Sequence, residues 1–146
     1  MPAGPSIPDM IANAALYLGA CVAMASTDVA AETQLSFEQA RENFYAAAKN
    51  GLNAEIVWLD GKLYPVRDVL LHQLIPLVSL GLKDLNVEED ERDYYLSILR
   101  ARIEGGQTGS QWQRAFIQKN GYDFFNLTAN YLHHQESGRP VHEWEI

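Results

Sequence analysis

A long uncharged stretch near the start of the chain limits the fold more than any other feature. Residues 10–27 contain no Asp, Glu, Lys or Arg. Their apolar side chains wrap most of the circumference of a helix instead of forming one stripe along it. We therefore predict a helix from about Asp9 to Ser26 that is buried on nearly all sides, because the rest of the chain must cover it.

Signal peptides and membrane-spanning helices have a similar apolar pattern, but particular residues of this stretch argue against each. The run Ala23–Ala25 followed by Ser26 resembles a signal-peptidase site, but the residues before it include Asp9 and no Lys or Arg. A bilayer span needs about 20 apolar residues, and this run is slightly shorter and contains Asn13. We therefore expect a core helix, no membrane partner and a cytoplasmic location.

Length and charge narrow the class of protein further. The chain has 146 residues, which fits a single helical domain over 1–146. Its 19 acidic and 11 basic residues give a net charge of -8, and the basic residues are scattered. Such a surface repels phosphate backbones, so we expect no nucleic-acid partner. Cys21 is the only cysteine, which excludes an intrachain disulfide.

Turn and capping residues divide the rest of the chain. Ser36 and Gln39 form a capping-box pattern at the start of a helix that runs to Asn50. Two short apolar runs flank Asp60-Gly61, which is the strongest short-range signal for a β-hairpin. One convincing β element is therefore predicted.

Four further helices follow in the prediction, and the last precedes an irregular tail over residues 138–146. The predicted spans are 68–82 with a kink at Pro76, a helix capped by Asn86 and ending after Arg102, a helix capped by Ser110 and running to Lys119, and 123–135. The fold class is mainly α, with about six helices and one short β-hairpin.

Few residues carry recognisable chemistry. No Gly-rich phosphate loop or nucleophile elbow is present. The adjacent His133 and His134 point in different directions on a helix, so no metal site is predicted. The loop that contains Thr108 offers free backbone N–H groups to an anion, with Gln113 and Arg114 following, although a plain turn explains it equally well. The Asn13 amide needs partners on an apolar helix, either within the chain or on a ligand.

Four blocks of the sequence resemble the C-terminal part of the glutamate–cysteine ligase-like (carboxylate–amine ligase) family. They occur in the same order over almost the whole chain, which makes the resemblance more specific than any one block. The blocks are GPSIPDMIANAALY at 4–17, RENFYAAAKNGLN at 41–53, GQTGSQWQ at 106–113 and GRPVHEW at 138–144.

The resemblance implies a helical piece of a larger ligase. That family joins a glutamate carboxylate to an amine with ATP and Mg²⁺ on a glutamine-synthetase-like sheet, and one hairpin does not supply such a sheet. Arg41, Asn43 and Lys49 are the contact candidates implied by the second block. The chain departs from the family there, because Phe44 and Tyr45 replace a basic residue and Trp, and Lys49 replaces an Arg that could bind bidentately.

Two functional hypotheses follow. In the first, the chain is a module that is non-catalytic alone, binds no cofactor itself, and packs on the N-terminal half of a ligase or on another copy. In the second, it is a small ligand-binding protein or an ATP-dependent carboxylate–amine ligase. That alternative keeps a carboxylate or nucleotide cleft around Lys49, Arg67 and the Gln107 loop, and the resemblance then implies ATP and Mg²⁺.

Overall fold

A computed structural model describes residues 4–27, 30 and 33–146 of the chain. The described part is mainly helical with one two-stranded antiparallel sheet, which confirms the predicted fold class. The elements are α1 (Ile7–Ala25), α2 (Phe37–Asn50), β1 (Glu55–Val57), β2 (Leu63–Pro65), α3 (Val66–Val69), a π-helical turn (Leu70–Leu74), α4 (Ile75–Asp84), α5 (Glu89–Gly105), α6 (Gly109–Asn120) and α7 (Phe124–Glu136).

The residues group into two compact units. Unit 1 comprises Met1–Ala15 and Asp90–Ile146, and unit 2 comprises Leu16–Glu89. The first half of α1 therefore belongs to unit 1 and its second half to unit 2. Independent folding is a separate property, so a single domain over 1–146 stays a prediction.

Within unit 2, α1 and α4 cross at the level of their backbones. A Cβ atom added at Gly81 would lie 2.0 Å from the carbonyl oxygen of Gly19 and 3.0 Å from the backbone nitrogen of Ala23. A Cβ atom at Gly19 would lie 2.7 Å from Val78 Cγ1. Only glycine allows this approach, so the two glycines define where the helices meet.

The hairpin of unit 2 forms where Asp60-Gly61 predicts it. Ile56 pairs with Tyr64, and the Trp58 N–H donates to the Lys62 carbonyl at 2.9 Å across the turn. Gly61 adopts a φ of 76°, the left-handed conformation that closes a three-residue hairpin loop. The Tyr64 hydroxyl donates to the Asp60 carboxylate at 2.7 Å, and this bond lowers the pKa of Asp60 and raises that of Tyr64.

Asn43 of α2 acts as a clamp on the outer edge of β1. Its side-chain amide donates to the Val57 carbonyl at 2.7 Å, and its side-chain oxygen accepts from the Val57 N–H at 2.8 Å. The side chain thus takes the place of a third strand at this residue, and satisfies backbone groups that an edge strand leaves unpaired. This pair of bonds ties α2 to the hairpin.

A π-helical turn lies directly before Pro76, where the sequence predicted a kink. Leu70–Leu74 has π geometry, and the Ile75 N–H donates back to the Leu70 carbonyl, five residues earlier. Proline removes one N–H donor and its ring crowds the carbonyl four residues before it. A wider turn directly before Pro76 relieves that crowding, so α3, the π turn and α4 run on without a break.

Two predicted N-caps were wrong. Asn86 ends α4 instead of starting α5: its φ is 57°, and Val87 donates to the Leu82 carbonyl at 3.1 Å in a Schellman arrangement. Asparagine tolerates this left-handed conformation better than most residues. The cap of α6 is Thr108, two residues before Ser110, because the Thr108 hydroxyl accepts the N–H of a first-turn residue.

The tail at the end of the chain contributes Val141 and Trp144 to the core of unit 1. It is irregular, as predicted, apart from a 3-10 turn at Val141–Glu143. Trp144 is 4% exposed, and its ring lies edge-on to Trp112 with 5.6 Å between centroids. The Gln107 amide donates to the carbonyls of Val141 and Trp144, both at 2.8 Å. The Gln107 loop is therefore an attachment point for the tail.

Candidate functional site

Helix α1 has a covered side and an open side. The covered side carries small or polar residues: Asp9, Ala12, Gly19 and Ala23 are buried. The prediction of burial on nearly all sides is therefore wrong, because an apolar circumference does not ensure that the same chain can cover it. The large apolar residues on the open side are Ile7 (63% exposed), Met10 (37%), Ile11 (41%), Tyr17 (65%) and Leu18 (51%).

Helical geometry places these five residues on one face. At 3.6 residues per turn they fall within an arc of about 120°. Cys21 lies within the same arc and is exposed. No charged residue lies in this arc, because Asp9 points to the covered side. We refer to the set 7, 10, 11, 17, 18 and 21 as the α1 open face. It offers apolar contact and one thiol.

A buried ion pair fixes the start of α1 within unit 1. The Asp9 carboxylate is fully buried, and it accepts from the Ser6 hydroxyl at 2.7 Å and from the Val141 N–H at 2.9 Å. Its other oxygen lies 3.2 Å from the Arg102 guanidinium. Burial lowers the pKa of Arg102, and the Asp9 charge opposes that shift. Arg102 also donates to the Asn13 side-chain oxygen at 2.6 Å, so one side of the Asn13 amide is held within the chain.

Two of the four contact candidates in unit 2 bind the backbone. Asn43 holds Val57 through both ends of its amide. Arg67 donates through Nε to the Leu52 carbonyl at 3.2 Å and is half-buried. Both bonds join segments that are distant in sequence, which is typical of side chains that maintain a fold. A ligand contact by either residue stays a prediction.

The other two candidates of unit 2 lie on the surface of α2. Arg41 forms an ion pair with Glu38 one turn earlier. Lys49 is exposed in the last turn, where its ammonium interacts favourably with the helix dipole. Neither side chain faces an enclosed space that would desolvate a ligand, because both are exposed.

The remaining three candidates lie in unit 1 around the start of α6. The Thr108 hydroxyl accepts from the Gln111 N–H at 3.3 Å, so one of the helix donors that an anion would use is already paired. Gln113 and Arg114 are exposed in the first half of α6. With Asn13, unit 1 thus holds four of the eight candidates and unit 2 the other four.

One open cavity was not predicted. It has a volume of about 470 Å³ and lies in unit 1 at the junction of α6 and α7. Its lining is largely polar and consists of Phe116, Lys119, Asn120, Asp123, Asn126, Asn130 and Ile146. The side chain of Asp123 accepts from the Asn126 N–H at 3.0 Å as the N-cap of α7, and these bonds lower the pKa of Asp123. No spacing signal in the sequence links the two helix ends that form it.

Two properties bear on cofactors and location. Among residues 4–27, 30 and 33–146, no three His, Cys, Asp or Glu side chains lie close enough together to hold a metal ion. Within the same residues, α1 is the one helix long and apolar enough to cross a membrane. Core helices of soluble proteins and signal sequences share this property.

The chain was compared with models of protein families, with curated proteins and with solved structures. No family model, no curated protein and no solved structure matches it. The resemblance to the glutamate–cysteine ligase-like family therefore stays a prediction that rests on the four sequence blocks.

Proposed function

We propose that this chain is a helical module of a glutamate–cysteine ligase-like protein that is non-catalytic alone and acts by packing on a partner. The observation that carries the proposal is the α1 open face. Contiguous exposed apolar patches larger than a few hundred Å² mark interaction sites on soluble proteins. Helix α1 has 19 residues and exposes five large apolar side chains on one face, which makes this face a candidate for such a site.

The free energy available from covering this face is substantial. Burial of apolar surface stabilises by about 25 cal/mol per Å², which amounts to about 1.5–3 kcal/mol for each large side chain that becomes fully covered. The five residues are already 35–63% covered, since they are 37–65% exposed. The remaining gain is therefore of the order of several kcal/mol, enough to matter for association.

The contacts of the candidate residues support a structural role. Asn13, Asn43 and Arg67 each bind another part of the chain. A catalytic site needs polar groups that converge on a reacting atom. Side chains used for internal bonds contribute less readily to such a site. For a helical module this pattern is expected, and ATP and Mg²⁺ would then be held by the strand-bearing half of the ligase.

A second proposal is a small ligand-binding protein, and the open cavity of unit 1 favours it. A volume of about 470 Å³ falls in the usual range for small-molecule sites. Melting temperatures measured with Mg-ATP, glutamate and cysteine test this proposal. A rise with any one of them would support it, and an unchanged melting temperature with all three would remove it.

Binding to a strand-bearing ligase half tests the first proposal. The chain and a ligase half from the same genome are mixed and analysed by size exclusion with light scattering. Wild type should form a complex with the half or with itself, and Leu18→Lys should weaken it at least about tenfold, the usual effect of losing a central apolar contact. Leu80→Lys is the matched control, because Leu80 is 59% exposed and lies on α4.

The proposal fails if wild type remains monomeric and binds no ligase half at any accessible concentration. It also fails if Leu80→Lys weakens association as strongly as Leu18→Lys, because the contact would then lie elsewhere.

A further inference from the structure

Neutral amide groups dominate the lining of the open cavity of unit 1. Five of the seven residues that line it have polar side chains. Three of the five are asparagines: Asn120 at the end of α6, and Asn126 and Asn130 on α7. The other two are Lys119 and Asp123, which carry one charge of each sign. A ligand in this cavity therefore meets more amides than charges.

Each of the three amides keeps a donor and an acceptor for a ligand. The Asn120 amide donates to the Phe116 carbonyl at 3.1 Å. On α7, the Asn126 amide donates to the Asp123 carboxylate at 2.7 Å, and the Asn130 amide donates to the Asn126 carbonyl at 2.8 Å. An amide nitrogen has two N–H donors, and the amide oxygen is an acceptor. Each internal bond uses one donor, so the second donor and the oxygen stay available.

The two charged groups of the lining already have partners within unit 1. The Lys119 ammonium donates to the Ile146 carbonyl. Both oxygens of the Asp123 carboxylate accept from Asn126, one from its backbone N–H at 3.0 Å and the other from its side chain. Phosphate and carboxylate ligands are held by converging basic groups, and the lining supplies one ammonium. A cationic ligand would be repelled by that same ammonium. The charges thus favour a neutral ligand over an ion of either sign.

Three exposed aromatic residues lie at the turn between α6 and α7. Tyr122 is 84% exposed, Phe124 61% and Phe125 82%. Each is the direct sequence neighbour of a residue that lines the cavity, since Tyr122 and Phe124 flank Asp123 and Phe125 precedes Asn126. The face of an aromatic ring is electron-rich. It therefore attracts the C–H groups of a sugar ring, which the neighbouring oxygens make slightly positive.

We infer that the open cavity binds a neutral sugar, whose hydroxyl groups exchange hydrogen bonds with the asparagine amides. A hydroxyl is both a donor and an acceptor, as each amide is. A sugar ring carries hydroxyls around its edge and can use amides from both helices. A nucleobase would instead depend on stacking between apolar surfaces, and the lining contains only Phe116 and Ile146 as apolar residues.

The inference concerns the cavity that favours the second proposed function. It goes beyond that proposal, because it names a ligand class to which Mg-ATP, glutamate and cysteine do not belong. The cavity volume of about 470 Å³ lies in the lower half of the usual range for small-molecule sites. A single sugar, or the end of a short sugar chain, is therefore the expected ligand.

The side-chain amide signals of asparagine report directly on this contact. Proton–nitrogen correlation spectra of the full chain are recorded during titration with the methyl glycosides of glucose, galactose, mannose and N-acetylglucosamine. At least one glycoside should shift the side-chain signals of Asn126 and Asn130 in a saturable way at millimolar concentration or below. The signal of Asn50, an exposed residue at the end of α2, should not move.

Two substitutions with matched controls locate the sugar. Asn130→Ala should weaken binding about two- to tenfold, the usual effect of losing one hydrogen bond. Asn130 is exposed and its side chain bonds only within α7, so the fold should persist. Asn50→Ala is its control. Tyr122→Ala should weaken binding by a similar factor, whereas Tyr45→Ala should not, because Tyr45 is 65% exposed on α2 in unit 2.

Unchanged spectra with all four glycosides would overturn the inference. Equal losses of affinity for Asn130→Ala and Asn50→Ala would also overturn it, because the sugar would then bind elsewhere. A disaccharide of the sugar that binds separates the two sources of this ligand. Tighter binding of the disaccharide supports the end of a chain, and equal binding supports a free sugar.

The same spectra separate this inference from the second proposed function. If Mg-ATP, glutamate or cysteine shifts the signals of Asn126 and Asn130 and no glycoside does, the chain is a ligand-binding protein and the inferred ligand class is wrong. If a glycoside shifts them and those three compounds do not, the inference holds and the second proposal fails for the ligands that it names.

Discussion

Replacing Gly81 by alanine should destabilise the protein through the crossing of α1 and α4. The added methyl group would lie 2.0 Å from the Gly19 carbonyl oxygen, where ordinary contacts begin at 3.4 Å. The clash is with backbone, so no side-chain rotation relieves it. The two helices must separate locally by about 1.4 Å, which disturbs contacts in a close-packed interior.

The expected loss is about 2 kcal/mol or more in the free energy of unfolding. Overpacking a well-packed site costs about 1–3 kcal/mol, occasionally more. Alanine recovers up to about 1 kcal/mol through its better helix propensity. The upper part of the overpacking range applies here, because 2.0 Å is far inside the distance that real Cβ atoms keep.

Equilibrium unfolding in urea measures this change. The midpoint for Gly81→Ala should fall while the slope stays the same, since the surface exposed on unfolding is unchanged. Gly105→Ala is the matched control: it is also a helical glycine, and nothing lies within 4 Å of its added Cβ. A midpoint for Gly81→Ala at or above that of Gly105→Ala would show that the backbones of α1 and α4 do not approach this closely at Gly81.

Two further substitutions test contacts that the structure assigns. Asn43→Ala should lower the free energy of unfolding by about 1–3 kcal/mol, because it leaves the Val57 N–H and carbonyl without partners. Replacement of the exposed Asn53 by alanine should change this free energy little. Urea unfolding of both variants measures the difference. Asp123→Ala should remove more stability at pH 7 than at pH 3. The pKa of Asp123 is lower in the folded state than in the unfolded state. The ionised carboxylate therefore stabilises the start of α7 above the unfolded-state pKa of about 3.9. This stabilisation is lost as the pH falls through the folded-state pKa. Equal losses at both pH values would contradict that role.

Local signals predicted the helices and the hairpin well. The capping box at Ser36 and the Asp60-Gly61 turn both appear in the structure, since each depends on residues within a few positions. The predicted N-caps Asn86 and Ser110 were wrong because two local signals competed in each case. Asparagine can start a helix or end one, and the hydroxyls of Thr108 and Ser110 can both accept a backbone N–H.

Burial and distant contacts were harder to predict. The uncharged stretch predicted a covered α1, but the sequence does not state how much of the chain is available to cover it. The bonds of Asp9 to Val141 and of Gln107 to the tail join residues 132 and 34–37 positions apart. Such contacts follow from the three-dimensional arrangement, and single-sequence patterns carry no signal for them.

The solvent accessibility of Tyr17 in solution reports whether a partner covers the α1 open face. Tyr17 lies on the α1 open face and is 65% exposed, and Tyr122 of unit 1 is 84% exposed. Hydroxyl-radical labelling read by mass spectrometry gives the oxidation rate of each ring. The rate for Tyr17 should fall as the chain concentration rises or a ligase half is added, while the rate for Tyr122 stays constant. Unchanged rates for both rings under every condition would show that nothing covers the face.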